Sequence, residues 1–518
     1  MKQKRWRCTV CGEIFEGDAP PAPCPVCGAG ADAFVAEAAP AAQRWKCTVC
    51  GEIFEGDAPP APCPVCGAGA DAFVAEAAPA AQRWKCTVCG EIFEGDAPPA
   101  PCPVCGAGAD AFVAEKEAPG GVLGGSDSRF VIVGGGGAGL AAAKAIREVD
   151  RTAKVTLVCG EGVIPYNRPG LSRLVAEGAG FESVALEPYD WYGGQQIELV
   201  CDARVERIDP QRREALLSDG RALPYTALLL AAGANAFCPV KAGPGAPPVR
   251  VLRSFADAAA LLEDVRPGVS AVVVGGGILG LEAAMALHRR GAKVRVVELA
   301  QRILSIQADA FVSGRIEQAL RALGMEVDTG VSVSAVEADG AHLSDGRVLP
   351  AEVVLVSAGI RSELGLAQAL GLALGRGICV DASMRTSLPG IYAAGDCAEF
   401  EGRVAGLWGA ALEMGRTAGR AMCGHEAAYR PPVPATAFEA PGISLFAVGS
   451  VNGEGLQTVE RRDDEAGVYR KLALRNGRLV GVLMLGRPAG GAAAIAAVER
   501  GASLQDALGL LAQQAEKA

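Results

Sequence analysis

Residues 129–161, RFVIVGGGGAGLAAAKAIREVDRTAKVTLVCGE, decide the fold of most of this 518-residue chain. Their pattern predicts an apolar strand, a glycine-rich turn, an amphipathic helix and a second apolar strand, which is the order of a βαβ unit. Gly134, Gly136 and Gly139 have the G-x-G-x-x-G spacing of a dinucleotide-binding loop. The first glycine of such a loop makes the tight turn, the second admits the pyrophosphate, and the third lets helix and strand pack closely. The stretch therefore predicts a nucleotide-binding α/β domain.

A second unit with the same pattern follows at residues 270–304, SAVVVGGGILGLEAAMALHRRGAKVRVVELAQRIL. Gly275, Gly277 and Gly280 repeat the glycine spacing after an apolar strand and before a helix. A single G-x-G-x-x-G is a weak signal, but two copies in the context of a βαβ unit are a strong one. The sequence therefore predicts two dinucleotide-binding domains in one chain.

The end of the second strand in each unit indicates which nucleotide it binds. Glu298 ends that strand in the second unit. A carboxylate at this place binds the ribose 2′-hydroxyl and repels a 2′-phosphate, so Glu298 favours NADH over NADPH. In the first unit Cys159 and Gly160 occupy the place, and we expect Glu161, the nearest carboxylate, to accept the ribose hydroxyls.

Three copies of a cysteine module precede both units. The sequence CTVCGEIFEGDAPPAPCPVCG begins at Cys8, Cys47 and Cys86, with a period of 39 residues. Each copy holds two C-x-x-C pairs, which place four thiolates around one metal ion as a tetrahedron. A module this small has too little core to fold unaided, so metal binding is expected to be part of its folding energy. The predicted ligands are Cys8, Cys11, Cys24, Cys27, Cys47, Cys50, Cys63, Cys66, Cys86, Cys89, Cys102 and Cys105.

Four thiolates suit both iron and zinc, and the spacing alone favours a structural zinc ribbon. The stretch WRCTVCGEIFEGD together with CPVCGAGADAF resembles the short rubredoxin-type module at the end of rubrerythrins. The resemblance covers the whole repeat, although the segment between the two cysteine pairs is much shorter than in ordinary rubredoxin. It implies a mononuclear iron in each of the three modules, with zinc as the alternative.

Further motifs resemble those of two-dinucleotide flavoprotein reductases, which bind FAD first and NADH second. They are LLLAAGANAF, VVLVSAGIRSE and TSLPGIYAAGDCAEF, and the resemblance spans residues 129–434. By that resemblance, Ala232, Gly233 and Gly359 end strands beside the cofactors, and Asp396 hydrogen-bonds the ribityl chain of FAD. The alternative for Asp396 is a plain cap of the helix that follows it.

The segment IPYNRPGLSR, residues 164–173, narrows the resemblance to the branch of rubredoxin, ferredoxin and nitrite reductases. In that branch the segment passes beside the flavin, and Arg168 and Pro169 match its motif. The resemblance also implies that Arg173 and Glu282 form a pair that orients the nicotinamide. No cysteine lies between Glu161 and Val200, and this argues against thiol chemistry at the flavin.

These patterns predict an α/β flavoprotein reductase with Rossmann-like FAD and NAD domains and an α+β C-terminal domain, preceded by three small metal-bound β knuckles. The predicted boundaries are 4–36 (module 1), 43–75 (module 2), 82–115 (module 3), 116–128 (a flexible linker), 129–246 with 373–434 (FAD domain), 247–372 (NAD domain) and 435–518 (C-terminal domain).

Charge and composition exclude some partners. Residues 1–128 carry 9 Lys and Arg against 17 Asp and Glu, and residues 129–518 carry 40 against 42. An acidic head argues against nucleic acid as a partner, because phosphate binding needs clustered cations. We find neither a signal peptide nor an apolar run long enough to span a membrane, and we expect a cytoplasmic protein. The C-terminal domain suggests a homodimer by its resemblance to domains that contribute dimer contacts.

The two halves of the sequence predict one function. NADH gives up two electrons together, whereas an Fe(SCys)₄ centre accepts one, and a flavin converts between the two. We expect electrons to pass from NADH through FAD to the tethered iron and on to an external redox protein, by analogy a flavodiiron or rubrerythrin-type protein. The alternatives are a reductase whose zinc ribbons serve only for docking, and an NADH oxidase that reduces O₂ at the flavin.

Overall fold

The computed structural model describes residues 82–115, 127–486 and 490–512, together with residue 64 and the strands of modules 1 and 2. The chain divides into two units, Met1–Ala81 and Gln82–Ala518. Module 3 therefore belongs to the same unit as the nucleotide-binding domains.

Each module contains one small antiparallel sheet. The middle strand of the sheet carries the first cysteine, and the module's other two strands pair with its two edges. The strands are β1 (Arg5–Cys8), β2 (Ile14–Glu16), β3 (Phe34–Glu37), β4 (Arg44–Cys47), β5 (Ile53–Glu55), β6 (Phe73–Glu76), β7 (Arg83–Cys86), β8 (Ile92–Glu94) and β9 (Phe112–Glu115).

The first nucleotide-binding half is built on a parallel sheet of order β12-β11-β10-β16-β29. Apart from the edge strand β12, its strands are mostly buried and apolar, as expected when helices cover both faces of a parallel sheet. Its elements up to residue 242 are β10 (Arg129–Val133), α1 (Gly137–Val149), β11 (Lys154–Val158), α2 (Leu171–Glu177), α3 (Tyr189–Gly194), β12 (Ile197–Val200), β13 (Val205–Asp209), β14 (Glu214–Leu217), β15 (Ala222–Pro224), β16 (Ala227–Leu230), β17 (Ala234–Ala236) and β18 (Lys241–Ala242).

The second half repeats the design with a parallel sheet of order β19-β26-β20-β21-β22. Its elements are β19 (Val249–Arg250), α4 (Phe255–Asp264), β20 (Ser270–Val274), α5 (Ile278–Arg289), β21 (Lys293–Glu298), α6 (Ala310–Ala322), β22 (Glu326–Thr329), β23 (Val333–Glu337), β24 (Gly340–Leu343), β25 (Val348–Leu349), β26 (Val353–Val356) and β27 (Ile360–Ser362).

The chain then returns to the first half, where strand β29 pairs with β16 and forms the edge of the parallel sheet. The elements of this return are α7 (Gly365–Ala369), β28 (Ile378–Val380), β29 (Ile391–Ala393), β30 (Ala398–Phe400) and α8 (Trp408–Met422). Helix α8 crosses α1 closely, because a Cβ on Gly415 would lie 2.1 Å from the carbonyl oxygen of Ala138. This close crossing fixes the N-terminus of α8 beside the glycine loop that begins α1.

The C-terminal domain is an antiparallel sheet of order β31-β32-β35-β34-β33 with two helices. The helices pack on this sheet through a core that includes Phe446, Leu472 and Ile495. Its elements are β31 (Ala435–Ala440), β32 (Ile443–Gly449), β33 (Gln457–Asp463), β34 (Val468–Arg475), β35 (Arg478–Leu485), α9 (Gly491–Glu499) and α10 (Leu504–Ala512).

Candidate metal centre and cofactor site

Module 3 brings its four predicted ligands together. The Sγ atoms of Cys86 and Cys105 lie 3.7 Å apart, as do those of Cys89 and Cys102, and all four lie within 4.8 Å of one another. Metal–sulfur bonds of about 2.3 Å in a tetrahedron require sulfur–sulfur distances of roughly 3.8 Å, so the site fits one thiolate-bound ion. In modules 1 and 2, Cys8 and Cys47 end described strands, and the other six predicted ligands lie outside the described residues.

Aromatic rings enclose this metal centre. Trp84, Phe93 and Phe112 pack around the cysteines, and the rings of Phe93 and Phe112 meet edge to face with centroids 5.8 Å apart. Trp408, from the start of α8, completes the same cluster. The metal centre is therefore enclosed partly by its own module and partly by the first nucleotide-binding half.

The two glycine loops have nearly the same geometry. Gly134 has φ +121°, and a Cβ on Gly139 would lie 2.0 Å from the Gly134 carbonyl oxygen, so both positions need glycine. Gly136 faces open space, with no heavy atom within 4 Å of where its Cβ would be. The loop thus leaves an empty cradle at the start of α1, where backbone N–H groups favour a phosphate.

The second loop repeats each of these features. Gly275 has φ +117°, a Cβ on Gly280 would lie 2.0 Å from the Gly275 carbonyl oxygen, and Gly277 faces open space. The residues therefore fit a second pyrophosphate at the start of α5.

The two halves differ at the end of the second strand. Glu298 accepts hydrogen bonds from the backbone N–H groups of Gly276 and Ala300, at 2.6 and 2.7 Å. In the first half Cys159 takes this place, because a Cβ on Gly135 would lie 2.6 Å from the Cys159 Sγ. The structure thus places the Cys159 thiol where the second half has its carboxylate, as the sequence indicates, and the ribose contact of Glu161 stays a prediction.

Glu161 still lines the cavity of the first half, although its carboxylate is already engaged. It accepts hydrogen bonds of 2.5 Å from the Tyr166 hydroxyl and from Arg168. Arg168 also donates to the backbone carbonyl oxygen of Arg253. This arrangement fixes the predicted flavin-side segment around Arg168 and Pro169 against the wall of the cavity.

One continuous cavity of about 1620 Å³ joins both loops. The predicted residues Pro169, Ala232, Gly233 and Gly359 line it. Its volume exceeds the roughly 300–1,000 Å³ of ordinary ligand pockets, as a site for two nucleotides requires. The described residues therefore fit FAD and a nicotinamide nucleotide bound in one connected space.

Asp396 also lines this cavity and has a partner that the sequence did not indicate. Its Oδ2 accepts a hydrogen bond of 2.6 Å from Arg253, and its backbone carbonyl accepts one from the Ser362 hydroxyl. Arg253 lies 143 positions before Asp396 and belongs to none of the motifs described above, so the sequence did not mark it as a partner. The buried indole N–H of Trp408 has no partner among the described residues, so the cavity offers it to a bound group.

The predicted pair of Arg173 and Glu282 is not formed. Within residues 127–486 no ion pair joins them; Arg173 is exposed and donates instead to the backbone carbonyl oxygen of Pro103, at 3.4 Å. The reason is the helical rotation of α2, which turns Ser172 toward the acid and Arg173 away from it. Burial raises the pKa of Glu282 to about 7, while a hydrogen bond from Ser172 lowers it.

Module 3 covers the mouth of this cavity through its cysteine loops. A Cβ on Gly409, in the first turn of α8, would lie 3.0 Å from the Cys89 carbonyl oxygen, and its nearest neighbours all belong to Cys89 and Gly90. Arg416, two turns further along α8, donates to the Gly90 carbonyl oxygen at 2.8 Å. Asn167 donates to the Val104 carbonyl oxygen at 3.2 Å.

Charged side chains surround these backbone contacts. Lys85 pairs with Glu413 at 3.1 Å, and Arg83 pairs with Glu148 at 2.9 Å. Burial alone would raise the pKa of Glu413, but the cations Lys85 and Arg416 outweigh it and lower that pKa. We call the reductase residues that contact module 3 the dock: Glu148, Asn167, Arg173, Trp408, Gly409, Glu413, Arg416, Gly490 and Gly491.

The C-terminal domain supplies the last part of the dock. Asp110 accepts hydrogen bonds from the backbone N–H groups of Gly490 and Gly491, at 2.8 and 3.3 Å, where α9 begins. Val88 packs against the core of that domain. Module 3 is therefore held by both the first nucleotide-binding half and the C-terminal domain.

Family models match three parts of the chain. Residues 128–415 match the model described as pyridine nucleotide-disulphide oxidoreductase, which covers more than half of the chain. The chain belongs to the pyridine nucleotide-disulphide oxidoreductase family. Residues 6–35, 45–74 and 84–113 match the rubredoxin-like domain of rubrerythrin, and residues 434–499 match the C-terminal domain of rubredoxin NAD⁺ reductase. The predicted fold, a two-dinucleotide flavoprotein reductase with three rubredoxin-like modules, is confirmed.

Curated relatives match this oxidoreductase at moderate identity. It is 30% identical over 388 residues to the nitrite reductase [NAD(P)H] of Bacillus subtilis, covering 73% of this chain and 48% of that protein. It is 28% identical over 338 residues to the NADH-rubredoxin oxidoreductase of Clostridium acetobutylicum, covering 65% and 86%. The chain thus spans about half the length of the first of these relatives.

Solved structures agree with the fold of this oxidoreductase. The NADH:rubredoxin oxidoreductase of Clostridium acetobutylicum matches with a TM-score of 0.62 and 25% identity, covering 74% of this chain and 99% of that one. The covalent putidaredoxin reductase–putidaredoxin complex matches with a TM-score of 0.63 and 30% identity, covering 70% and 91%. Among the described residues, no helix has the length and apolarity needed to cross a membrane.

Proposed function

We propose that the chain is an NADH-dependent flavoprotein reductase that passes electrons through FAD to the metal of module 3, and from the modules to an external redox protein. The observation that carries this proposal is the position of the module 3 cysteine loops at the mouth of the cavity that joins both glycine loops. A relative named NADH-rubredoxin oxidoreductase supports the choice of acceptor class.

FAD, when bound, accepts a hydride and returns electrons one at a time, which is the conversion that a single-iron acceptor requires. The chain's own residues hold it: the loop from Gly134 to Gly139 binds the pyrophosphate, and Asp396 and Trp408 offer polar groups to the rest of the cofactor. NADH binds at the second loop, where Glu298 selects it. Asp396 must then exchange its bond with Arg253 for one to the cofactor.

Iron is proposed over zinc for the cysteine centre. Zinc has no redox chemistry, so a zinc ribbon would gain nothing from lying beside the flavin cavity. A tetrahedral sulfur site accepts both metals, and the metal content of protein from its own host therefore decides between them. By analogy with the family, the external acceptor is a flavodiiron or rubrerythrin-type protein in the cytoplasm.

The experiment is an anaerobic reduction by NADH, followed at the flavin and ferric-thiolate absorbances together. We expect the native chain to take up more reducing equivalents than its flavin alone can hold, with the flavin reduced before the iron. A chain whose flavin bleaches while its metal centres do not change would contradict the electron path and favour the docking-only or oxidase alternative.

The variant Gly409→Leu tests the position of module 3, because the nearest atoms to this glycine belong only to the module. We expect NADH to reduce the flavin at the parent rate while the iron is reduced at least tenfold more slowly. Gly314→Leu, on helix α6 with open space around it, is the matched control and should change neither rate. Unchanged iron reduction in Gly409→Leu would show that the observed contact is not the route.

A further inference from the structure

The residues by which module 3 contacts the dock occur at the same places in modules 1 and 2. Modules 1 and 2 differ from each other at one position, where module 1 has Arg7 and module 2 has Lys46. That position corresponds to Lys85, so the positive charge opposite Glu413 is kept in every copy. The equivalents of Arg83, Gly90, Val104 and Asp110 are Arg5, Gly12, Val26 and Asp32 in module 1, and Arg44, Gly51, Val65 and Asp71 in module 2.

The described strands of the three modules also pair in the same register. In each module the first strand pairs antiparallel with the module's other two strands, and its second residue is a tryptophan. The corresponding pairs are Trp6 with Phe15, Trp45 with Phe54, and Trp84 with Phe93. The three modules are therefore chemically equivalent partners for one dock.

In the docked module three of the four ligand cysteines are buried, and the fourth, Cys105, is partly exposed. Cys86, Cys89 and Cys102 are 0%, 5% and 1% exposed, and the Cys89–Gly90 backbone lies against Gly409. The face of the module that meets the cavity is thus covered while the module is docked. Delivery of an electron to another protein through this face requires the module to leave the dock.

We propose that the dock is shared, and that modules 1, 2 and 3 occupy it in turn, each leaving with one electron. This inference rests on the electron path proposed above. Two visits by ferric modules use one hydride: NADH and two ferric centres give NAD⁺, one proton and two ferrous centres. The proton goes to solvent, and an external one-electron acceptor protein reoxidises the modules. Because the chain has several modules, two of them can take the two electrons of one hydride before either module is reoxidised by the external acceptor.

The contacts suit such exchange. The ion pairs Lys85–Glu413 and Arg83–Glu148 are partly exposed, with side-chain exposures of 18–36%. Pairs of this kind contribute little in water and weaken with salt. The tether compensates, because it keeps each module near the dock at a local concentration of roughly millimolar.

The ion pair of Lys85 and Glu413 gives a direct test that does not depend on turnover. A zero-length carbodiimide joins a lysine amine to a neighbouring carboxylate, and the native full-length chain offers Lys85 in module 3 and Lys46 in module 2. Module 1 has Arg7 at this place, and a guanidinium does not form this link, so no product through this position is expected from module 1, which makes the position an internal control. After trypsin, the two products differ in mass, because the peptide of Lys46 ends at Arg83 and that of Lys85 ends at Lys116.

We expect cross-links from Glu413 to both Lys85 and Lys46. Lys85→Arg keeps the charge but removes the amine, and should increase the Lys46 product severalfold. Arg7→Lys should add a product from module 1, and Glu413→Gln should abolish all of them. A mixture of isotope-labelled and unlabelled chains identifies links within one chain.

Absence of the Lys46 product in both the native chain and Lys85→Arg would overturn the shared dock. This result is distinct from failure of the electron path, because the cross-links form without NADH. A chain that cross-links through both lysines but shows no iron reduction would keep the shared dock and reject the electron path.

Discussion

The two nucleotide-binding halves use one loop in two environments. Gly134 and Gly275 have φ +121° and +117°, and the third glycine of each loop leaves its Cβ position 2.0 Å from a carbonyl oxygen. The helices that follow differ in what covers them. A Cβ on Gly137 at the start of α1 would lie 2.8 Å from the Trp408 ring, and the next residue, Ala138, is 5% exposed. Its counterpart at the start of α5, Leu279, is 59% exposed.

This difference separates a resident cofactor from one that exchanges. The first loop is closed by α8 and, beyond Trp408, by the docked module, which excludes water from the site where FAD is proposed to stay. The second loop opens to solvent beside an exposed Leu279, as a nucleotide that enters and leaves at each turnover requires. The same backbone motif thus serves two purposes, which are set by the elements packed on it.

The largest expected effect comes from adding one methyl group to either loop. Gly139→Ala and Gly280→Ala each place a Cβ 2.0 Å from a backbone oxygen, which cannot yield without moving the strand. Overpacking of this kind costs about 1–3 kcal/mol or more. We expect Gly139→Ala to be purified without FAD, and Gly280→Ala to retain FAD but lose reduction by NADH. The flavin content and the rate of flavin reduction measure the two outcomes.

Gly314→Ala in helix α6 is the control for this pair, because nothing lies within 4 Å of its Cβ position. Replacing a glycine by alanine inside a helix stabilises by up to about 1 kcal/mol when space allows. We expect this variant to keep FAD, activity and thermal stability. If Gly139→Ala and Gly280→Ala lose the same cofactor, the separation of the halves into resident and exchanging sites is wrong.

A smaller effect is expected where the second strands end, with Glu298 in one half and Cys159 in the other. Glu298→Gln keeps an oxygen that accepts from the loop but removes the charge that repels a 2′-phosphate. We expect the ratio of kcat/KM for NADH to that for NADPH to fall about tenfold, which corresponds to about 1.4 kcal/mol. Steady-state rates with an artificial acceptor measure it.

Glu161→Gln provides the comparison in the first half. Its carboxylate accepts from Tyr166 and Arg168 beside the cavity, so its loss should weaken FAD retention and leave the ratio of NADH to NADPH unchanged. An equal change of that ratio in both variants would mean that neither carboxylate selects the nucleotide.

The positions of motif residues with a fixed spacing were predictable from the sequence, whereas contacts between residues far apart in the chain were not. The glycine loops and the four cysteines of module 3 lie where their spacing predicts, because each motif is closed within a short segment. The dock joins Lys85 to Glu413 across 328 positions, and no local pattern marks either residue. The pair of Arg173 and Glu282 failed for a finer reason, since one residue along a helix turns a side chain by about 100°.

The smallest expected effect concerns a position that the halves fill differently: seven residues after the first glycine, α1 has the buried Ala141 and α5 has Glu282. Burial raises the pKa of the Glu282 carboxyl from its usual 4.5 to about 7. The folded chain therefore binds this proton more tightly than the unfolded chain, and the resulting stability is complete below pH 4.5 and lost as the pH rises through 7.

Glu282→Gln is neutral at every pH and should remove this loss. We expect the difference in Tm between the variant and the parent to grow in the variant's favour as the pH rises from 5 to 8. The growth is a few degrees at most, because the change in the free energy of unfolding is no more than about 3 kcal/mol. Ser172→Ala removes the hydrogen bond that lowers this pKa, so the parent's loss of stability should move to higher pH in that variant. A difference in Tm that does not depend on pH would mean that Glu282 is ionised throughout, with water reaching it in the cavity as freely as in the unfolded chain.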